Sequence, residues 1–275
     1  DFELQVDQAN AVCNEFMSGR FGLRGRSVRP FGLPVLLSPA YLWGRHMPWP
    51  GLPHSLYLWI GLFYVWLGVE FFRLIQAATN RPRLAWFGTL AAMLLPPLAP
   101  YAFQVYPEIP AAVLILRLFR REFYGDNDRE RFTDGLCLAC IPMFHQKYMF
   151  LFVMSGLHLL SGVFFHRRKQ ILDWLALIVP GALSLIALSV FFGQRFDIWL
   201  PTAPYSVQGS LLKNLFTLHT LKVIGAQFLD RKWGLIMVCP LLVFTFSGII
   251  ALWRRRPWVW LWWFTTCGGF IVLLS

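Results

Sequence analysis

The chain has 275 residues, 57% of them hydrophobic and 14% charged, with a formal net charge of +11. Soluble domains carry roughly 45–50% apolar and about 25% charged residues, so the composition excludes an ordinary soluble domain and reads as a polytopic membrane protein. The arginines gather at the ends of apolar runs, as membrane topology requires, which excludes nucleic acid as the partner for this charge.

In chain order, the first residue is Asp1 rather than Met, and the last apolar run ends at Ser275. The chain therefore reads as a piece truncated at both ends, with one helix missing before Asp1. Residues 6–17 place Val6, Ala9, Val12, Cys13, Phe16 and Met17 near helical spacing, ending at Gly19. Residues 31–43 are too short to span and predict a helix lying in the membrane interface. A membrane helix needs about 20 apolar residues, fewer where it is half-buried in protein. On that basis eight spans are expected, at 54–76, 84–101, 106–121, 131–144, 147–165, 171–192, 233–253 and 257–274. Between the sixth and seventh, residues 210–229 set Leu211, Leu215, Leu218, Leu221 and Ile224 on one face of an amphipathic helix.

The predicted architecture is thus all-α, a transmembrane domain over residues 1–275. It comprises an outer loop with interfacial helices (1–53), a six-helix core (54–192), a second outer loop (193–232) and two further helices (233–275). Four basic clusters set the orientation: Arg73/Arg81/Arg83, Arg117/Arg120/Arg121/Arg129/Arg131, Arg167/Arg168/Lys169 and Arg254/Arg255/Arg256. They fall in alternate loops, which places those loops in the cytoplasm and the loops around Glu108 and His145 outside.

Few residues on the outer side can carry chemistry. Glu108 stands in Tyr106-Pro107-Glu108-Ile109-Pro110 between two apolar runs. A carboxylate is costly in hydrocarbon, so one at the mouth of a membrane helix marks a functional site by default. The alternative is a cap for a helix beginning at Pro110, a favoured first position, although Asp or Ser would cap better. Asp7 precedes the first amphipathic helix and suits a cap or a catalytic base equally, and Asp1 and Glu3 compete with it. His145-Gln146-Lys147-Tyr148 interrupts continuous apolar sequence. Lys147 either snorkels to the interface or binds a lipid-linked phosphate as a point charge. Arg231 and Lys232 either bind an anionic head group or simply flank the next span. His158 reads as a core histidine, and Cys137-Leu-Ala-Cys140 as core packing rather than a metal or redox pair. No metal-binding histidine motif occurs.

Taken in order, these segments show a resemblance. An outer acidic residue precedes a helix ending in Ser18-Gly19. Then come Gly32-Leu33-Pro34-Val35-Leu36-Leu37-Ser38-Pro39-Ala40-Tyr41, Tyr106-Pro107-Glu108-Ile109-Pro110-Ala111-Ala112 and His145-Gln146-Lys147-Tyr148. Last is Asp230-Arg231-Lys232-Trp233-Gly234-Leu235 with Pro240. The series resembles bacterial membrane glycosyltransferases of the GT-C superfold, of the protein mannosyltransferase and lipid A aminoarabinose transferase type. The resemblance implies an inverting enzyme of the bacterial inner membrane with a periplasmic site. It would move a sugar from a polyprenyl-phosphate carrier to a glycan, lipid or protein acceptor. By position it assigns Asp7 or Asp1 as primary base and Glu108 as second acidic residue, with a divalent metal at Glu108 in some members and no other cofactor. Lys147 and His145, with Arg231 and Lys232, would contact the donor phosphate. The chain departs from the family pattern in two places: Asp7-Gln8 replaces the usual Asp-Glu pair, and His145-Gln146 replaces Arg-Pro before the lysine. The competing expectation is a transporter or lipid flippase with Glu108 and Lys147 lining the pathway.

Overall fold

The structure, a computed structural model, describes residues 31–46, 51–94, 98–102, 104–124, 131–165 and 171–201, with isolated positions between 250 and 266. Every element among these residues is helical, in line with an all-α fold. They are α1 (Gly32–His46), α2 (Gly51–Thr79), α3 (Pro82–Leu94), α4 (Leu98–Tyr101), α5 (Glu108–Tyr124), α6 (Arg131–Phe144), α7 (Met149–Phe165) and α8 (Ile171–Phe196). A single 3-10 turn, Gln146–Tyr148, joins α6 to α7.

Local chemistry sets the boundaries. Pro39 lies inside α1 and has no N–H for the Val35 carbonyl, and the Ser38 hydroxyl donates to that carbonyl instead, at 2.7 Å. At the end of α2, Asn80 takes a left-handed φ of 52° and donates its N–H to Gln76 O. Asn is the side-chain-bearing residue best suited to that position. Pro82 then opens α3, where a missing N–H costs nothing. Asp197, with φ 57°, closes α8 in the same way by donating its N–H to Gly193 O.

Four apolar clusters build the bundle. Leu37, Ala40 and Tyr41 of α1 pack on Leu56 and Ile60 of α2. Leu67 of α2 meets Met93 of α3 and Ile109 and Val113 of α5. The largest cluster joins α5, α6, α7 and α8 through Ala111, Leu138, Ile141, Leu151, Leu159 and Leu177. The fourth sets Leu188 and Phe192 of α8 against Phe31 and Met149. The α6–α8 crossing is the tightest approach, because a Cβ on Gly135 would collide with the Ala176 backbone carbonyl. Beside it, the buried Ser184 hydroxyl donates to Ala139 O at 2.6 Å.

Two segments, His54–Thr79 and Trp174–Gln194, are long and apolar enough to cross a membrane. They match the expected first and sixth spans. The other expected spans within the described residues fold as shorter pieces. α3 ends at Leu94, two residues ahead of Pro96-Pro97, and α4 is a separate turn. The 14 residues of α6 reach only about 21 Å, short of the roughly 30 Å hydrocarbon layer. α5 carries Arg117, Arg120 and Arg121 in its second half, too many charges for an uninterrupted span. The expected fifth span, 147–165, folds as α7 from Met149, its first two residues belonging to the 3-10 turn, and its 17 residues are one short of the 18 a candidate span needs. The expected helices at 6–17 and 210–229 lie outside the described residues, as does nearly all of 233–253 and 257–274.

Apolar side chains remain exposed in stripes. Leu58, Leu62, Val65 and Val69 follow one face of α2, and Leu175, Ile178, Leu183 and Ile186 line α8. Apolar surface on this scale marks contact with a membrane or a partner.

Candidate active site

The helices deliver charged side chains to two opposite ends of the bundle. At one end lie the first turn of α5 and the α6–α7 junction. α5 starts at Glu108, two residues into the expected 106–121 span and two ahead of the start at Pro110 that the capping alternative required, which puts the carboxylate itself in the first turn. An acidic side chain there is favoured by the unpaired N–H groups and dipole of the helix end. The ring of Pro110 also fits the first turn, which asks for no donor from it.

Lys147 comes from the 3-10 turn. The turn closes on itself, with Tyr148 N–H donating to His145 O at 3.0 Å and Lys147 N–H donating to His145 Nδ1 at 3.2 Å. The Lys147 ammonium then reaches across the bundle to Glu108 Oε1 at 2.6 Å, a charge-assisted bond between side chains 24% and 30% exposed. The same ammonium lies 5.2 Å from the centre of the Tyr148 ring, within cation–π range. The second carboxylate oxygen, Glu108 Oε2, is shielded from solvent and makes no hydrogen bond among the described residues.

Aromatic rings wall this pair. Tyr101 and Tyr106 pack edge to face at 6.3 Å, and His145 sets its ring across Tyr148 at 6.2 Å. Burial first, then the charge of Glu108 and the Tyr101 phenol, push the Tyr148 phenol well above its usual range, so it stays neutral. α1 covers the adjoining flank. Gly32 lies so close to Met143, at the end of α6, that a Cβ there would collide with the Met143 carbonyl. The Trp59 indole, near the start of α2, donates to Leu36 O at 2.8 Å, and Val105 packs on the α1–α2 cluster.

Of the residues singled out from sequence, the structure therefore joins Glu108 to Lys147. It places His145 beside them, where its Nδ1 accepts from its own turn. Asp1, Asp7, Arg231 and Lys232 lie outside the described residues. No group of three or more His, Cys, Asp or Glu side chains among the described residues is arranged to hold a metal ion.

Sequence reasoning missed the other end. Glu70 of α2 is fully buried and meets Arg120 Nε of α5 at 2.7 Å, with Arg73 and Arg117 each 3.8 Å away. The Trp66 indole also donates to Glu70, at 3.4 Å. The next residue of α5, Arg121, pairs with Asp134 of α6 at 2.6 Å. From sequence the arginines stand out as topology markers alone. The signal for the clamp was present, since Glu70 falls inside the 54–76 apolar run with an arginine three residues on. The rule that singled out Glu108 applied to it equally.

Comparison of the chain with models of protein families, with curated proteins and with solved structures gives no match.

Proposed function

We propose that the chain is a membrane glycosyltransferase that moves a sugar from a polyprenyl-phosphate carrier to a glycan, lipid or protein acceptor. The Glu108–Lys147 pair is the observation that carries this reading. It sets a carboxylate and an ammonium side by side at the end of the bundle remote from the arginines. In this proposal α2 and α8 span the membrane outright. The broken and shorter helices α3 to α7 cross as protein-buried pieces, and residues 233–253 and 257–274 add two more spans. The arginine end faces the cytoplasm and the Glu108 end faces the periplasm of a bacterial inner membrane.

The chemistry follows from the pair. An acceptor hydroxyl or amine attacks the anomeric carbon from the face opposite the phosphate. Its proton passes to a carboxylate as the new bond to carbon forms. The anomeric carbon–oxygen bond breaks, and the polyprenyl phosphate leaves with the electron pair, its charge met by Lys147. Glu108 acts as the base here or assists a carboxylate from the N-terminal segment, where Asp1 and Asp7 are the candidates. Tyr148, held neutral, sets the position of the ammonium. The apolar stripes along the bundle suit the lipid tail.

A transporter would gather its charges near the middle of the membrane, between related repeats. The charges of this bundle sit toward its two ends, which favours the transferase. The deciding experiment is transfer of sugar from a polyprenyl-phosphate donor by the reconstituted chain, with wild type compared against Glu108→Ala and Lys147→Met. Loss of transfer in both variants is expected. Full activity in both would remove the site assignment, and failure of the wild type to bind any such donor would remove the function.

A further inference from the structure

The ion pair poses a chemical problem. In this structure the carboxylate and the ammonium satisfy each other at 2.6 Å. A lysine committed to Glu108 is a poor phosphate site, and a carboxylate committed to a lysine is a poor base. Yet the other carboxylate oxygen is held ready and covered, shielded from solvent and without a hydrogen-bond partner among the described residues. We infer that the Glu108–Lys147 bond is a latch opened by the donor. The donor's phosphate takes Lys147 away from Glu108, and only then does the carboxylate become available to the acceptor. This rests on the transferase reading and adds an order to it: donor first, acceptor second.

The geometry supports exchange of partners rather than loss of structure. The backbone of the turn is fixed by two bonds that do not involve the ammonium, Tyr148 N–H to His145 O and Lys147 N–H to His145 Nδ1. The lysine stem can therefore swing without unwinding the turn. The Tyr148 ring, 5.2 Å from the ammonium, gives the cation a second attraction while it changes anions. Glu108 belongs to the first turn of α5, where backbone N–H groups temper its charge once the lysine leaves. Both side chains are partly exposed, so the latch is weak enough to open. A pair of this kind contributes up to about 1 kcal/mol, which corresponds to about a fivefold change in affinity.

The latch makes a counter-intuitive prediction: removing the carboxylate strengthens binding of the leaving phosphate. Polyprenyl monophosphate is titrated into the full chain in detergent micelles, with uncharged polyprenol and inorganic phosphate as control probes. Glu108→Gln should bind polyprenyl monophosphate about three- to fivefold more tightly than wild type. Glu108→Ala serves as a second test should the amide disturb the turn. Lys147→Met should bind it at least tenfold more weakly, and adding Glu108→Gln to Lys147→Met should recover nothing. Polyprenol affinity should be the same in all five proteins. A matching gain with inorganic phosphate would locate the effect in the phosphate group rather than the lipid tail. Equal or weaker binding by both Glu108 variants, with Lys147→Met still impaired, overturns the latch and leaves the transferase reading standing. No binding of polyprenyl monophosphate by wild type or variants overturns both.

Discussion

Glu108 and Glu70 are the same side chain in opposite circumstances. Glu70 is fully buried, held by Arg120 and flanked by two more arginines. Glu108 is partly exposed, has one lysine and keeps one oxygen without a hydrogen-bond partner among the described residues. The first arrangement leaves a carboxylate no freedom to exchange protons or partners, whereas the second does. Glu108→Gln should therefore lower the rate of transfer about 10²–10⁴-fold, the usual contribution of a general base, while leaving the fold intact by circular dichroism. Unchanged turnover would move the base to the N-terminal acidic residues. A charge reversal at Lys147, to glutamate, would place two carboxylates together and should abolish donor binding.

At the scale of helices, contacts of two kinds hold neighbours in register. The α6–α8 crossing depends on the absence of a side chain at Gly135. Gly135→Ala forces the backbones apart and should cost about 1–3 kcal/mol, as overpacking does, measured as a lower midpoint of unfolding in detergent. Ser184→Ala at the same crossing should cost about 1 kcal/mol, the net worth of one hydrogen bond. The clamp between α2 and α5 behaves differently. Arg120→Met takes the closest partner from the buried Glu70 carboxylate, which is left with Arg73, Arg117 and the Trp66 indole at longer range, and should destabilise by about 1–3 kcal/mol, whereas Glu70→Leu releases arginines that can still reach water. The second variant should be the more stable of the two, and the reverse ranking would show that the buried carboxylate is worth more to the fold than an apolar side chain in its place. The extents of these helices were legible from periodicity and proline placement, most closely at 131–144. The break within 84–101, where α3 ends at Leu94 and α4 is separate, was not. The interruption at His145–Tyr148 was legible from its polar residues, but nothing in residue spacing announces the bonds through His145 that close the turn.

For the whole molecule, the alternation of basic clusters along the sequence led to an expectation of two chemically distinct ends, and among the described residues Arg73, Arg117 and Arg120 of the first two clusters converge on Glu70, away from Glu108. The pairing across helices was not foretold. That Lys147 lands on Glu108, 39 positions away, depends on how α5 and α6 stack, a long-range outcome that single-sequence patterns do not encode. The membrane orientation of the two ends is open to direct measurement. In a background with the five native cysteines replaced, cysteines at Gln104 and Asn80 should react with an impermeant thiol reagent from opposite sides of the membrane. Labelling of both from one side would refute the proposed topology.

α5 carries both ends of this design on one rod. Glu108 stands at its start, and Arg120 lies 12 residues further on, about 18 Å along the axis. Each grips a different neighbour, the α6–α7 turn at one end and α2 at the other. The helix is in effect a ruler, and its length is set by two marks. Inserting four residues between the marks would nearly preserve the facing of the side chains but lengthen the rod by about 6 Å, so one grip or the other must fail. The number of residues between those marks is thus as much a part of the fold as the side chains that stand on them.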